Sequence, residues 1–173
     1  IRLDLTRNPK ITRAQIDELQ KALPNCVIHH DHSTSSEKIV AQIRRRIKKP
    51  GGALTAEDMA KVKEVGIYKG QISDLSALKS ATGLERLVFP LNHISDLAPL
   101  SGLKNLNFLE LNRNRISNLT PLAGLTNLKS LDLHDNQTTD LSPLVGLKQL
   151  IRLDLTRNPK ITRAQIDELQ KAL

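Results

Sequence analysis

Four consecutive residues, His29, His30, Asp31 and His32, carry side chains that can bind transition metals. Structural zinc sites usually place two to four residues between the two ligands of a pair, and this run has none. Successive residues of an extended segment also point to opposite sides of the chain. We therefore expect a solvated linker here and no metal site.

Two other residues could do chemistry. His134 lies beside Asp132 and Asp135 and could act as a general base, but the sequence positions no Ser, Cys or second His to complete a catalytic set. Cys26 is the only cysteine, so an intrachain disulfide is impossible and a small buried hydrophobe is the expected role. We predict that the chain is not an enzyme and holds no cofactor.

The formal net charge of +8 raises the question of a nucleic-acid partner. Residues 37–71 hold nine Lys or Arg against four acids, whereas residues 72–150 hold seven of each. A nucleic-acid-binding protein concentrates basic residues along its binding face, so the neutral middle of the chain argues against that function. We expect the basic run to form the solvated face of a helix; its members are Arg44, Arg45, Arg46, Lys48 and Lys49. The alternative is that this run binds an acidic surface of a partner.

The elements that position these residues follow from a pattern repeated every 22 residues. Such self-similarity indicates a solenoid, in which a unit buries its apolar face only against a stacked neighbour. Near its end each copy carries the motif L-x-x-L-x-L-x-x-N, as in residues 106–114, with Phe89 in place of the third leucine in the most divergent copy. The copies begin at Ile72 (the most divergent), Ile94, Ile116 and Thr138.

This motif resembles the leucine-rich repeat family. The resemblance implies an α/β solenoid, with short parallel strands on a concave face and short helical or 3-10 arches on a convex face. Parallel strands need a crossover of about a dozen residues, and the residues between the strand motifs supply one. In the copy from Ile94 the crossover carries a leucine at every third position, so one stripe faces the strand leucines: Leu97, Leu100, Leu103 and Leu106.

Polar residues and prolines recur at fixed places in the predicted arches. A short polar side chain can cap a helical turn at the start of each arch, at Asp74, Asp96, Asn118 and Asp140. Proline follows inside the first turn, where a missing N–H costs little, at Pro99, Pro121 and Pro143. We expect a ladder of side-chain amides to satisfy backbone groups at the bend after each strand, from Asn92, Asn114, Asn136 and Asn158.

Residues 32–71 have the features of a linker and an amino-terminal cap. Thr34 and Glu37 form a capping box, and the isoleucines and valine of residues 39–47 line one face of the helix that follows. The Pro50–Gly52 segment ends this helix, and a second short helix is predicted from Thr55 through Met59. The whole segment resembles the amino-terminal cap of internalin-like bacterial repeat proteins.

Residues 1–31 contain a second copy of the carboxy-terminal sequence. Ile1–Leu23 is identical in all 23 positions to residues 151–173, whereas the copies from Ile94 and Ile116 share 12 of 22. Three explanations remain: a circular permutant with overlapping ends, a fragment of a concatenated array, or a very recent natural duplication. The first two imply a constructed molecule, and we favour them.

The duplicated segment has its own predicted elements. Thr12 and Gln15 form a capping box before an amphipathic helix of residues 14–22, and the ALPNCVIHHD sequence resembles the carboxy-terminal cap of bacterial leucine-rich repeat proteins. The predicted organisation is therefore a last repeat with its cap in 1–31, a linker and amino-terminal cap in 32–71, repeats in 72–159, and a terminal helix in 160–173.

Side chains between the strand leucines are expected to project from the concave face, where the resemblance places ligand binding. Aligning the strands predicts an exposed apolar patch near the amino-terminal end, made of Tyr68, Val88, Pro90, Leu91 and Phe108. The same alignment predicts that the other half of the concave face is acidic, through Glu110, Asp132, Asp135 and Asp154. His134 lies among these carboxylates. Exposed aromatic residues are common anchors of protein interfaces.

We therefore predict a non-catalytic scaffold that binds a protein partner of unknown identity through its concave face, with no nucleic acid and no membrane as partner. The alternative is a self-assembling or domain-swapping module that associates through residues 1–31, giving an oligomer. No signal peptide opens the chain and no apolar run reaches the ~18 residues of a membrane span. We expect a bacterial protein, with a secreted or cell-surface location favoured over the cytoplasm.

Overall fold

The structure is a computed structural model that describes residues 1–6, 8, 10–29 and 33–173. Its central part is a parallel sheet of five strands in the order β3-β4-β5-β6-β7, one strand from each repeat. Every strand is three residues long and the strands follow each other in sequence order, as a solenoid requires. The strands are β3 (Glu64–Gly66), β4 (Arg86–Val88), β5 (Phe108–Glu110), β6 (Ser130–Asp132) and β7 (Arg152–Asp154).

Short 3-10 turns form the convex side, as predicted. They span Ser76–Leu78, Ala98–Leu100, Thr120–Leu122 and Ser142–Leu144. The predicted capping residues precede them: Asp96 Oδ1, for example, accepts a hydrogen bond from the N–H of Ala98 at 2.8 Å. Strand and turn leucines fill one continuous core, and Phe89 takes a leucine position there with none of its surface exposed.

The asparagine ladder is confirmed, and each amide reaches back into the preceding repeat. Asn114 Oδ1 accepts from the N–H of Ile94 at 3.0 Å, and Asn114 Nδ2 donates to the carbonyls of Phe89 and Leu111, both at 2.9 Å. Asn136 and Asn158 repeat these contacts one and two repeats further on. Because these backbone groups are buried, the amides replace water as their hydrogen-bond partners.

Two helices form the amino-terminal cap. Helix α2 (Ser35–Ile47) and helix α3 (Ala56–Ala60) begin at the capping boxes of Thr34 and Thr55. Ser35 Oγ accepts from the N–H of Ser73 at 3.0 Å and so ties α2 to the first turn of the array.

The basic run on α2 differs from the prediction of a purely solvated face. Arg45, Arg46 and Lys48 are exposed, but Arg44 and Lys49 are half-buried. Arg44 donates to the carbonyls of Lys49 and Gly52, and Lys49 Nζ lies 2.5 Å from Asp58 Oδ2. Arg44 therefore holds the loop that follows α2 against this helix, and Lys49 in that loop reaches α3.

The two copies of the duplicated sequence form the same elements in different settings. In the first copy, β1 (Arg2–Asp4) is followed by α1 (Arg13–Ala22) and β2 (Val27–His29), and β2 pairs in parallel with β1. In the second copy, β7 pairs with β6 and is followed by α4 (Arg163–Ala172). The first copy thus forms a two-stranded sheet of its own, beside the main array.

Candidate functional site

The concave face carries the side chains that point away from the core leucines. The strand register is the predicted one: Arg86 lies opposite Phe108, and Glu110 opposite Asp132. Neighbouring strands lie about 4.8 Å apart, so side chains at equivalent positions form rows across the sheet. Those rows position the predicted binding residues.

Phe108 is the centre of the apolar part of this face. Its ring is half-buried, and the guanidinium carbon of Arg86 lies 3.5 Å from the ring centroid, a cation–π contact. Arg86 Nε is 3.9 Å and Arg46 Nη2 3.4 Å from the same oxygen of Glu64, so two cations share one carboxylate at the rim. The role of Arg86 was not predicted, although its place in the row beside Phe108 was available from the alignment.

The remaining residues of the predicted exposed apolar patch differ in exposure. Tyr68 is strongly exposed, at 69% of its surface, and Val88 is half-buried. Pro90, however, is buried, which corrects the expectation that it contributes to the surface. Leu91 is half-buried, with a left-handed φ of 55°. Apart from Pro90, the predicted residues thus keep some exposed apolar surface: Tyr68, Val88, Leu91 and the uncovered part of Phe108.

A hydrogen-bonded group of polar side chains follows on β5 and β6. Asn112 Nδ2 donates to Asp132 Oδ2 at 3.0 Å and to Glu110 Oε1 at 3.4 Å. Asp132 Oδ1 accepts from the backbone N–H of His134 at 2.9 Å. The two carboxylates are thus held in place by groups of the protein, and both remain partly exposed on the concave face.

His134 takes part in a chain of hydrogen bonds that ends at Asp154. The hydroxyl of Thr156 donates to Asp154 Oδ1 at 2.6 Å, and His134 Nδ1 lies 2.6 Å from the same hydroxyl oxygen. Because that hydroxyl has one proton, His134 Nδ1 must be the donor in its contact with Thr156. The hydroxyl and N–H of Thr156 lower the pKa of Asp154 below its usual value, and so this carboxylate stays charged near neutral pH.

One feature of the concave face was missed by sequence reasoning, namely the backbone conformation of one of its rows. The residue before each ladder position has a left-handed backbone, with φ between 50° and 57°. Glycine or asparagine usually marks a left-handed position, but neither residue type occurs in this row, and so the sequence does not predict the conformation. The row consists of Lys69, Leu91, Arg113, Asp135 and Arg157.

The other chemical candidates give no site in the described part of the chain. Among these residues, no group of three or more His, Cys, Asp or Glu side chains is placed to hold a metal ion. His30, Asp31 and His32 lie outside the described residues, so the linker prediction for them is not tested. Cys26 is buried, as predicted. No helix among the described residues is long and apolar enough to cross a membrane.

A family model of leucine-rich repeats (two copies) matches residues 126–171. The fold is a leucine-rich repeat solenoid. Among solved structures, the chain is similar to an internalin (InlF) of Listeria monocytogenes, with 27% identity over 72% of this chain and 39% of that chain at a TM-score of 0.65. A second Listeria internalin, C2, shares 32% identity over 67% of this chain and 53% of that chain at a TM-score of 0.58.

A leucine-rich repeat protein of Leptospira interrogans is also similar, with 26% identity over 70% of this chain and 32% of that chain at a TM-score of 0.59. No curated protein matches the sequence. The chain spans between about a third and half of the length of these solved structures. The similarity is to leucine-rich repeat scaffolds, and the prediction that the chain is not an enzyme agrees with it.

Proposed function

We propose that this leucine-rich repeat protein binds a protein partner through its concave face. The observation that carries the proposal is the arrangement around Phe108: an aromatic side chain on a rigid sheet, with fixed carboxylates on the next strands and with Tyr68 exposed just after β3, two strands away. Aromatic residues held on rigid elements are the usual anchors of protein interfaces, because little conformational entropy is lost when they are covered.

The charge of this face suggests the chemistry of the partner. Glu110, Asp132 and Asp154 lie in one row across three adjacent strands, so they offer negative charge at intervals of about 4.8 Å. The apolar group lies at the amino-terminal end of the same face. A segment with an aromatic or aliphatic side chain followed by Lys or Arg would match both parts, and charge complementarity would fix its orientation.

A random peptide library displayed on phage, selected on the immobilised chain, tests this proposal. We expect enriched peptides to combine an aromatic residue with Lys or Arg. The substitution Phe108→Ala should weaken their binding by about 2 kcal/mol, roughly 30-fold, as expected for an interface anchor. Asp132→Asn should weaken binding more at low salt than at high salt, because surface charges are screened by ions.

The matched control is Thr126→Ala, on the exposed convex side, which should leave binding unchanged. All three variants should keep the melting temperature within a few degrees, because none of the altered side chains lies in the core. The proposal would be refuted by peptides that still bind the Phe108→Ala and Asp132→Asn variants but no longer bind the Thr126→Ala variant.

Self-association is a second candidate function, and the end of the array at β7 favours it. Ile151 is 85% exposed, and an apolar cavity of about 410 Å³ opens between β7 and α4. Exposed apolar surface of this kind commonly marks an interaction site. A sedimentation-velocity dilution series tests this function, with dimers or larger species expected at high concentration and a monomer throughout as the refuting result.

A further inference from the structure

Arg86 is held on the concave face by two neighbours, yet its hydrogen-bonding capacity is unused. The guanidinium carbon lies 3.5 Å from the ring centroid of Phe108, and Arg86 Nε is 3.9 Å from Glu64 Oε1. The second distance is that of an ion pair and is too long for a hydrogen bond. In the described part of the chain no other side chain pairs with this guanidinium, and 44% of the arginine side chain is exposed. Its N–H donors are therefore available to a ligand.

The contact with Phe108 restricts the position in which those donors are offered. An arginine that moves freely loses rotamer entropy when it binds a ligand, whereas a guanidinium that already lies on a ring loses less. Phe108 on β5 lies directly opposite Arg86 on β4, and both strands are paired along both edges. The guanidinium is thus preorganised on the interior of the sheet.

The charge around Arg86 favours an anion. The carboxylate of Glu64 is shared, because Arg46 Nη2 of α2 lies 3.4 Å from the same oxygen that Arg86 approaches. Two cations and one anion leave a net positive charge here. Glu110 lies one strand away in the next row, and its Oε1 accepts from Asn112 Nδ2, in the row beyond, at 3.4 Å. The carboxylate of Glu110 is thus bound on the side away from Arg86.

We infer that Arg86 binds a carboxylate side chain of the protein partner, an aspartate or a glutamate. A planar guanidinium offers two parallel N–H donors to the two oxygens of a carboxylate, a geometry that lysine cannot match. The inference rests on the proposed function, binding of a partner through the concave face. It adds an acidic residue to the apolar and basic ones that this face accepts, and makes Arg86 a residue that determines specificity.

The distance from Arg86 to the acidic row sets the spacing of the recognised segment. Asp132 lies two strands from Arg86 and one row further along the strands. Two strand spacings of about 4.8 Å and an offset of about 7 Å between the rows give a separation of roughly 12 Å. An extended segment advances about 3.3 Å per residue, so roughly three to four residues cover this distance. The partner segment therefore carries its acid and its base three or four positions apart, with the apolar side chain between them.

A peptide library of fixed pattern tests the carboxylate site. Asp and Lys are placed four positions apart with Phe midway, in both chain directions, and the other positions are random but exclude Asp and Glu. Both ends are blocked, so that no terminal carboxylate competes. The tightest binder is then made again with Asn in place of its Asp, and fluorescence polarisation measures both labelled peptides on the full chain. We expect the Asp peptide to bind about 10-fold more tightly than the Asn peptide, as for a charge-assisted hydrogen-bonded pair.

The ratio of these two affinities is the readout in every variant, because a general loss of binding leaves it unchanged. In Arg86→Gln the ratio should fall to about one, since the cation that distinguishes Asp from Asn is gone. Arg86→Lys should give an intermediate ratio, because the charge remains but the two parallel donors do not. Phe108→Leu should also lower the ratio, because the ring that positions the guanidinium is removed.

Arg113→Gln is the matched control. Arg113 lies on the same face, its side chain is 50% exposed, and its Nε is 3.9 Å from Asp135 Oδ2, as Arg86 Nε is from Glu64. Among the described residues no aromatic ring lies beneath its guanidinium. The preference for the Asp peptide should be the same in Arg113→Gln as in the unaltered chain.

The possible failures separate this inference from the proposed function. If neither this library nor the random phage library yields a binder, the proposed function and the carboxylate site are both refuted. If peptides bind and are weakened by Phe108→Ala, but the Asp and Asn forms bind the unaltered chain equally, concave-face binding stands and the carboxylate site is refuted. A preference for Asp that persists in Arg86→Gln, or that is lost in Arg113→Gln, assigns the carboxylate to another cation and refutes Arg86 as its receptor.

Discussion

Replacing Asn114 by alanine should destabilise the protein strongly, because the backbone groups that this side chain satisfies are buried. The N–H of Ile94 would lose its acceptor and the carbonyl of Phe89 its donor, while the carbonyl of Leu111 would keep a hydrogen bond from Asn136 Nδ2 at 3.0 Å. Two unsatisfied buried groups cost roughly 1–3 kcal/mol each, so the free energy of unfolding should fall by about 3 kcal/mol.

The duplicated part of the chain provides a control for this substitution. Asn8 is the equivalent ladder residue of the first copy, but it is exposed, and its partners among the described residues are the nearby carbonyls of Leu5 and Thr6. The substitution Asn8→Ala should therefore cost less than about 1 kcal/mol, as expected for exposed hydrogen bonds.

Urea unfolding followed by far-UV circular dichroism measures both variants, since the chain has no Trp for fluorescence. With a slope of about 2 kcal/mol/M, Asn114→Ala should lower the midpoint by about 1.5 M. Equal shifts for the two variants would show that burial of the amide does not matter, and the argument for the ladder would fail.

Three further predictions concern groups with unusual surroundings. Thr138 Oγ1 is buried and has no hydrogen-bond partner in the part of the chain that the structure describes, so Thr138→Val should raise the free energy of unfolding by about 1 kcal/mol. At the exposed Thr139, the same change to Val should have little effect in the same urea assay. Arg113 has a φ of 54°, so Arg113→Gly should be neutral or stabilising by up to about 1 kcal/mol, whereas Ser130→Gly in β6 should destabilise. The N–H and hydroxyl of Ser142 lower the pKa of Asp140 in the folded state; its contribution to stability is therefore complete above the unfolded pKa of about 3.9 and is lost as the pH falls through the folded value. Asp140→Asn should flatten the decline of the urea midpoint below about pH 4, and an unchanged decline would contradict this cause.

The sequence predicts the scaffold well because the scaffold depends on residue types at fixed spacing. Leu109 and Leu131 occupy equivalent core positions, and their strands pair in the predicted register. The ladder amides and the capping carboxylates were also predictable, since each satisfies a backbone group whose position the repeat determines. Local rules of this kind act within one repeat or between two neighbours.

The surface was predicted less well because it depends on how side chains cover one another. Pro90 was assigned to the exposed patch from its place in a row, but it is buried. Arg86 covers much of Phe108, and such a contact depends on side-chain conformation as well as register. The left-handed backbone of Arg113 and its equivalents was not predicted, for a different reason. The ladder amides hold these residues in a conformation that their residue types disfavour.

The amide ladder gives the array a direction. Each asparagine amide donates to one carbonyl of the repeat before it, so every repeat receives a side-chain hydrogen bond from its successor. The two ends of the array therefore differ: at the amino-terminal end Asn92 Nδ2 donates to the carbonyl of Ile67 in the cap, and at the carboxy-terminal end the carbonyl of Leu155 accepts from Asn158 of its own repeat. A further repeat stacked after β7 would continue the ladder only if it carried an asparagine that donates to Leu155, whereas a unit stacked before the first repeat needs only a backbone carbonyl in the place of that of Ile67.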